Sequence, residues 1–152
     1  MTFTPVPPVT DTRGNGHRST PSAPPETEVL SALFAALPQP ICIHDDGRHL
    51  LLVNTAAASL VGYHPDELRR RDFEGLLLPS DTPRWRRFLR EVHHTGRTHA
   101  SYFRLHHSDG HWLWAHATAT AFTAVDTRLV AVLWEDRTGE IWEDPHTICT
   151  EL

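Results

Sequence analysis

The sequence predicts an α+β domain, in which a five-stranded antiparallel sheet carries short helices packed on one face. Three observations support this fold class. Strand-like apolar runs lie at both ends of a helical middle, Asp-Gly turns separate neighbouring runs, and one long run alternates small with large side chains. The sequence has no βαβ repeat with phosphate-binding glycines, which argues against a parallel nucleotide-binding sheet.

Composition limits the functions that are open to the chain. Its 152 residues are 39% hydrophobic, which is enough for one domain with a core. The net charge of −5 argues against nucleic acid as the main partner, because phosphate binding calls for a clustered basic face. No apolar run approaches the roughly 18 residues of a membrane span. The first residues also lack a secretory signal, so a cytoplasmic location is predicted.

The chain divides into three parts. Residues 1–25 hold six prolines and almost no large apolar side chains, so a disordered tail is predicted there. Residues 26–140 form the predicted domain, and residues 141–152 form a C-terminal tail. Cys42 is interpreted as a buried strand residue and Cys149 as a tail thiol. We expect no disulfide between them, because disulfides are rare in the cytosol.

A helix and a hairpin are predicted to open the domain. Two apolar runs at 41–44 and 50–53 flank an Asp-Asp-Gly-Arg segment, which is a typical hairpin turn. Before them, Pro38 ends a helix. The apolar stripe of that helix, at three- and four-residue spacing, consists of Val29, Leu30, Leu33, Phe34 and Leu37.

Short helices are predicted in the middle of the chain. Asn54 is a favourable N-cap for an alanine-rich helix, and Gly62 is a favourable end. A helical turn at 65–68 and a compact apolar segment at 73–78 follow. The cluster at 80–83 begins a longer helix that Gly96 ends. One face of this helix carries Trp85, Phe88, Leu89 and Val92.

Three strands are predicted at 101–107, 111–123 and 129–134, with a Ser-Asp-Gly turn between the first two. Period-two alternation gives the second strand two faces. The small face, expected to look toward the helices, carries Leu113, Ala115, Ala117, Ala119 and Ala121. The opposite face carries Trp112, Trp114, His116, Thr118 and Thr120.

Three stretches between residues 31 and 140 resemble the PAS family in their order and spacing. The first runs from Pro40-Ile41-Cys42-Ile43-His44 through the Asp-Gly turn to Asn54 and Gly62-Tyr63. The second is Ser108-Asp109-Gly110 with Trp114 four residues on, and the third is Trp134-Glu135-Asp136-Arg137-Thr138. The resemblance implies a five-stranded antiparallel sheet with helices on one face, often enclosing a ligand cavity. It also implies sensing and protein association rather than catalysis.

The resemblance further implies where a cofactor would attach. Blue-light-sensing relatives carry a flavin-reactive cysteine eleven positions after the Gly of Gly-Tyr, where this chain has Phe73. Haem-binding relatives place an axial histidine on the long helix, and the equivalent residue is Arg84. A phenyl ring forms no thiol adduct, and a guanidinium does not ligate iron. We therefore expect neither a flavin adduct nor haem.

The second hairpin raises the question of a metal site. His107 and His111 flank the turn and should face each other, with Asp109 close by. A structural zinc site takes four protein ligands, and a catalytic site takes three with a water. At about 3.3 Å per residue, His116 lies roughly 15 Å or more from His111 along the strand. We therefore predict no metal site. Scattered Ser, Cys and His define no nucleophile either, so no catalytic residue and no enzymatic activity are predicted.

Small side chains that face the helices leave two outcomes open. Either the helices close down onto the alanines, which we favour, or a cavity remains for a small apolar ligand. The residues that would line such a pocket are Ile41, Ile43, Asn54, Ala57, Leu60, Phe73, Leu77, Trp85, Phe88, Leu113, Ala115 and Ala117.

The tryptophan face poses the complementary question of what covers it. Two neighbouring indoles approach the largest apolar patch that a monomer normally exposes. The stripe of the first helix is the nearest candidate, from the same subunit or from a partner's, and we favour a homodimer. The predicted partner-face residues are Leu30, Leu33, Phe34, Trp112, Trp114 and His116.

We interpret the chain as a sensory module that binds a partner protein, optionally with a small apolar ligand, and regulates an output supplied in trans. One alternative is a small cone-shaped α+β enzyme or binding domain in which a histidine acts in an alanine-lined pocket. A pocket with a buried, pKa-shifted histidine or carboxylate would favour that alternative. A domain that binds proteins only, without a pocket, is the third possibility.

Overall fold

The computed structural model describes residues 22–143, with side chains through residue 140. Its helices and strands are α1 (Glu26–Ala36), β1 (Ile41–His44), β2 (Leu50–Val53), α2 (Thr55–Val61), α3 (Pro65–Arg70), α4 (Thr82–Thr95), β3 (His99–His106), β4 (Trp112–Ala124), β5 (Thr127–Asp136) and α5 (Thr138–Glu143). Two 3-10 turns, Phe73–Leu76 and Pro79–Asp81, connect α3 to α4. Residues 1–21 of the tail predicted at 1–25, Cys149, and the part of the tail predicted at 141–152 that follows Glu143 lie outside the described residues.

The five strands form one antiparallel sheet in the order β2-β1-β5-β4-β3. The first hairpin therefore pairs with the last strand, and the two long strands β4 and β5 occupy the middle of the sheet. Helices α2, α3 and α4 and the 3-10 turns cover one face. The predicted α+β class, the five antiparallel strands and the helices on one face are confirmed.

The predicted caps position the helical layer. Asn54 begins α2, and its side-chain oxygen accepts hydrogen bonds from the backbone N–H groups of Ala57 and Ile41, each at 3.0 Å. Its side-chain nitrogen donates to the carbonyl of Gln39 at 2.8 Å. One buried amide thus ties α2 to the start of β1. At the other end of α2, Gly62 adopts the left-handed conformation with φ of 76°.

The two faces of the sheet differ as the alternation in β4 predicts. Leu113, Ala115, Ala117 and Ala119 are buried beneath the helices. Trp112 is 42% exposed on the opposite face, which we call the outer sheet face. Two of the strands are longer than the sequence indicated, since β3 begins at His99 and β5 extends from Thr127 to Asp136. The pairing with the long β4 extends both neighbours beyond their apolar runs.

The first helix forms where it was predicted, but its apolar stripe is not buried. Val29, Leu30 and Leu33 are each about half exposed, and α1 packs mainly against α2. The idea that α1 of the same subunit covers the tryptophans is therefore wrong. A helix α5, which was not predicted, begins at Thr138. No helix among residues 22–143 has both the length and the apolar character needed to cross a bilayer.

Candidate functional site

The space above the alanines of β4 is filled by six rings, which we call the interior aromatic cluster. Its members are His44, Phe73, Trp85, Phe88, Phe103 and Trp134. Trp85 lies at the centre, with its ring 5.5 Å from Trp134 and 5.1 Å from Phe73, measured between centroids. Phe103 meets Trp85 edge-on at 5.2 Å. These are ordinary packing distances for aromatic pairs.

The cluster explains why β4 carries small residues. In the sheet register Ala115 pairs with Phe103 of β3, and Ala117 pairs with Trp134 of β5. Each methyl group therefore lies beside a ring from the neighbouring strand. Large and small side chains thus alternate across neighbouring strands, as they do in well-packed protein interiors. This packing agrees with the closed interior that the sequence favoured.

His44 is the one titratable side chain of the cluster. It is fully buried, and its ring meets Phe73 and Trp85 edge-on at 5.1 and 5.4 Å. Its Nδ1 faces the carbonyl of Arg48 at 3.4 Å, whereas its Nε2 and the indole N–H of Trp85 have no partner. Burial lowers the pKa of His44 to about 4, so the ring is neutral at pH 7.

Cys42 lies on the same side of β1, two residues before His44, and it is a free buried thiol. Burial raises its pKa to about 12, although the indole of Trp134 beside it acts in the opposite direction. A thiol that stays protonated is a poor nucleophile and a poor metal ligand. Cys42 is therefore a packing residue, as the sequence indicated.

The predicted pocket residues separate into two groups. Asn54, Ala57, Phe73, Leu77, Trp85, Phe88, Leu113, Ala115 and Ala117 are buried in the layer between helices and sheet, and Leu60 packs against it. Ile41 and Ile43 are wrongly placed, because β1 turns Cys42 and His44 inward and both isoleucines outward. His44, Phe103 and Trp134 were missed. The period-two pattern of Val130, Val132 and Trp134 was the signal that could have found the last of them.

Clefts are present at the surface of the described chain rather than inside the cluster. One of them has a volume of about 250 Å³ and lies between the first hairpin and the segment after α3. Its rim carries Arg48, Arg71 and Glu74, and Phe73 forms part of the wall. Glu74 is paired with Arg48 at 3.3 Å and with Arg86 at 2.7 Å. A small, charged and internally paired cleft lacks the apolar lining typical of ligand pockets.

The outer sheet face presents an apolar surface across four strands. In β5 Leu133 is 36% exposed, and in β2 Leu52 is 45% exposed. The register places Ile41 of β1 beside Leu133. It places Ile43 between Leu52 of β2 and Ala131 of β5. The remaining apolar members are Trp112, Trp114 and Phe122. Of the predicted partner-face residues, Trp112, Trp114 and His116 lie here, while Leu30, Leu33 and Phe34 lie on α1.

The indole of Trp114 is connected to the start of α4 through Arg104. The guanidinium of Arg104 lies 5.2 Å from the Trp114 ring and bonds the buried carboxylate of Asp81 at 2.8 Å. Burial by itself would raise the pKa of Asp81, but Arg104 and Arg84 together hold it below its usual value. The start of α4 is thereby linked around the edge strand β3 to the outer sheet face.

The backbone of Trp114 is joined to the end of β5. Its N–H donates to the hydroxyl of Thr138 at 3.1 Å, and its carbonyl accepts from the N–H of Arg137 at 2.8 Å. The Thr138 hydroxyl donates in turn to Asp136 at 2.6 Å. These are the Asp and Thr of the third stretch of the family resemblance. They fix the first residue of α5 to Trp114 near the start of β4, on the outer sheet face.

Histidines at the second hairpin lie outside the interior. The structure brings His107, Asp109 and His111 together at the tip of the β3–β4 turn. His116 lies elsewhere and contacts Tyr102 of β3, with 4.8 Å between ring centroids and 58° between ring planes. Arg84, the position considered for haem attachment, forms an ion pair with Asp81. Phe73, the position considered for flavin attachment, packs in the interior aromatic cluster.

Solved structures share this fold. A PAS domain from a two-component sensor histidine kinase superposes with a TM-score of 0.62 at 15% identity, covering 73% of this chain and 96% of its own. A PAS domain from Colwellia psychrerythraea gives 0.65 at 17% identity, with 74% and 97% covered. An RNA-binding Light-Oxygen-Voltage receptor gives 0.67 at 20% identity, covering 82% of this chain and 38% of its own.

A family model gives the assignment at the level of sequence. The model described as the PAS fold matches residues 50–134, which is more than half of the chain. None of the curated proteins matches the chain in sequence. The match and the strand order agree with the three stretches identified from the residues alone. The chain belongs to the PAS fold family of sensory signal-transduction modules.

Proposed function

We propose that this domain signals through protein association at its outer sheet face, forming a homodimer that regulates the output of a partner protein. The observation that carries the proposal is the uncovered apolar surface on both the sheet and α1. Trp112, Leu52 and Leu133 are each at least 36% exposed on the sheet, and Leu30 and Leu33 are over half exposed on the helix.

The two apolar surfaces are complementary in kind. Tryptophan side chains offer roughly 150–250 Å² each, and Trp112, Leu52 and Leu133 add exposed apolar area to the outer sheet face, which makes it a candidate contact surface. An apolar helical stripe is a suitable cover for such a face. Because α1 packs mainly against α2 of its own subunit, the helix of a second copy is the cover that this chain itself can supply.

A route from this face to an output exists through Trp114. Its backbone is bonded to Thr138 and Arg137, where α5 begins. Displacing Trp114 on association would therefore act on the first turn of α5. We propose that a partner protein reads the position or stability of this helix.

An interior small-molecule ligand is a second candidate, favoured by one observation. The Nε2 of His44 and the indole N–H of Trp85 are buried without a partner. Buried polar atoms are usually satisfied, so a small molecule bound between these rings would supply what they lack. Against it stands the close packing of the rings. The enzyme alternative has less support: His44 is buried and pKa-shifted, but rings enclose it and no alanine-lined pocket opens onto it.

Association at the outer sheet face predicts that Trp114→Arg produces a folded monomer. The substitution places a charge in the apolar face beside Arg104. Phe34→Asp, on α1, is expected to give the same result from the opposite side of the interface. Light scattering during size-exclusion chromatography measures the mass, and circular dichroism verifies that both variants are folded.

The matched control is Val125→Arg, which adds the same charge at a 97% exposed position in the β4–β5 turn. It is expected to remain dimeric. A dimer mass that persists in both Trp114→Arg and Phe34→Asp, or a monomeric parent protein, would contradict the proposed interface.

A further inference from the structure

The tip of the β3–β4 hairpin holds three side chains whose donor atoms converge. The Nδ1 of His107 lies 3.0 Å from the Asp109 carboxylate, and the Nδ1 of His111 contacts the same oxygen. The ligand atoms of all three residues lie within 4.8 Å of one another. The two imidazole rings stack, with 4.5 Å between centroids and 17° between planes. Among the residues described, this is the group in which three such donors meet.

The backbone holds this arrangement in place. His107 donates its N–H to the carbonyl of His111 at 2.8 Å, and Gly110 donates to the carbonyl of His107 at 3.0 Å. Gly110 has a φ of 102°, a conformation that L side chains rarely adopt. The turn therefore fixes the separation of the two histidines before any ligand binds, which limits the entropy lost on binding.

The helical layer anchors the same turn. Ser108 donates its hydroxyl to the carbonyl of Gly62 at 2.7 Å and its N–H to that of Val61 at 2.9 Å. A Cβ at Gly62 would come within 2.4 Å of the His107 ring, so the glycine permits this close approach. His107 is packed against the end of α2, while the side chains of Asp109 and His111 are each about half exposed. An ion can thus enter from solvent.

The donor set has a definite chemical preference. Two imidazole nitrogens and one carboxylate oxygen suit zinc and neighbouring transition-metal ions, with a fourth position left for water. Calcium and magnesium take oxygen ligands in greater number. The set carries one negative charge when both histidines are neutral, which favours a divalent cation. The pair His93 and His94 on α4, with rings 5.8 Å apart, is not part of a comparable group among the described residues.

We propose that His107, Asp109 and His111 bind one zinc ion or a similar transition-metal ion, and so fasten the β3–β4 hairpin. The ion takes the place of the polar contacts that now join the two Nδ1 atoms to Asp109. The site is independent of the interior aromatic cluster and of the proposed dimer face. It departs from the sequence-based prediction of no metal site, because Asp109 supplies the third ligand that His116 does not.

Isothermal titration of the tag-free full chain with Zn²⁺ tests the site, after dialysis against EDTA and removal of the chelator. We expect one ion per chain, with a dissociation constant on the order of micromolar. His111→Ala and Asp109→Asn should each weaken binding by at least about tenfold, since even outer-shell partners of metal ligands matter by 10–100-fold. The matched control His94→Ala, at an exposed histidine of α4, should bind like the parent.

Three results would overturn the proposal: no Zn²⁺ binding at submillimolar concentration, Mg²⁺ binding as tight as Zn²⁺ binding, or an isotherm of His111→Ala that matches the parent. Circular dichroism of each variant separates loss of ligand from loss of fold. Because His111 contributes its carbonyl rather than its side chain to the hairpin backbone, the alanine variant is expected to fold.

Discussion

Replacing Trp85 with alanine is expected to lower the free energy of unfolding by about 3–5 kcal/mol. The indole is fully buried and lies among His44, Phe73, Phe103 and Trp134. Its removal leaves a cavity that the neighbouring rings close only in part. Since a domain of this size has about 5–15 kcal/mol in total, the loss would be a large fraction of its stability. Urea unfolding at equal protein concentrations measures it.

A matched control and a rescue sharpen this test. Val125→Ala removes side-chain atoms at a 97% exposed position in the β4–β5 turn, outside the proposed dimer face, and should cost about 1 kcal/mol or less. Indole in solution should raise the melting temperature of Trp85→Ala by occupying the cavity, but should leave the parent protein unchanged. Equal costs for the two alanine variants would show that the interior is not filled as described.

Acidification is expected to destabilise the protein through His44. Its pKa lies near 4 in the folded state against an ordinary 6.5, so the unfolded chain binds this proton at higher pH than the native one does. Stability is therefore complete above about pH 6.5 and falls as the pH decreases toward 4. The loss amounts to about 3 kcal/mol over this interval. Urea unfolding at a series of pH values, with EDTA present, measures the slope.

His44→Phe isolates this contribution, because it keeps a ring among the aromatic neighbours and removes the titration. The difference in unfolding free energy between parent and variant should change by up to about 3 kcal/mol between pH 7 and pH 4. His94→Ala, at an exposed histidine, should leave the slope of the parent intact. A constant difference between parent and His44→Phe across this range would mean that His44 is solvated.

Local sequence signals were sufficient for most of the fold. The Asp-Gly turn of the first hairpin, the Asn54 cap and the Gly62 end each specify backbone geometry within a few residues. The alternation in β4 spans enough residues to distinguish its two faces without reference to a partner strand. These features depend on neighbours in sequence, which is why they could be predicted.

Features that depend on distant parts of the chain were harder to predict. All four residues of β2, and three of the four in β1, are apolar or sulfur-bearing, so no alternation marks their inner face. Which face of β1 points inward is determined by the pairing of Ile41 with Leu133 and of Cys42 with Val132. The exposure of α1 likewise depends on the element against which the helix packs, here mainly α2, and its apolar stripe alone does not reveal it.

The candidate sites were predicted unevenly for the same reason. Trp112 and Trp114 could be placed on one surface because they share a strand, and His107 and His111 could be paired because a turn joins them. The residues of the interior aromatic cluster come from three separate strands and two helical segments. Phe103 and Trp134 were therefore not associated with Trp85 from the sequence. The contact of Arg104 with Asp81 crosses the edge of the sheet and has no local signal.

Native mass spectrometry of the purified full chain, after dialysis against EDTA, tests the proposed mode of action most directly. It reports the number of subunits and any bound small molecule in one spectrum. If the domain signals by forming a homodimer and its interior is filled by its own side chains, the spectrum shows a species of twice the 17.2 kDa chain mass with no added mass. A single chain that carries a co-purified small molecule would contradict it.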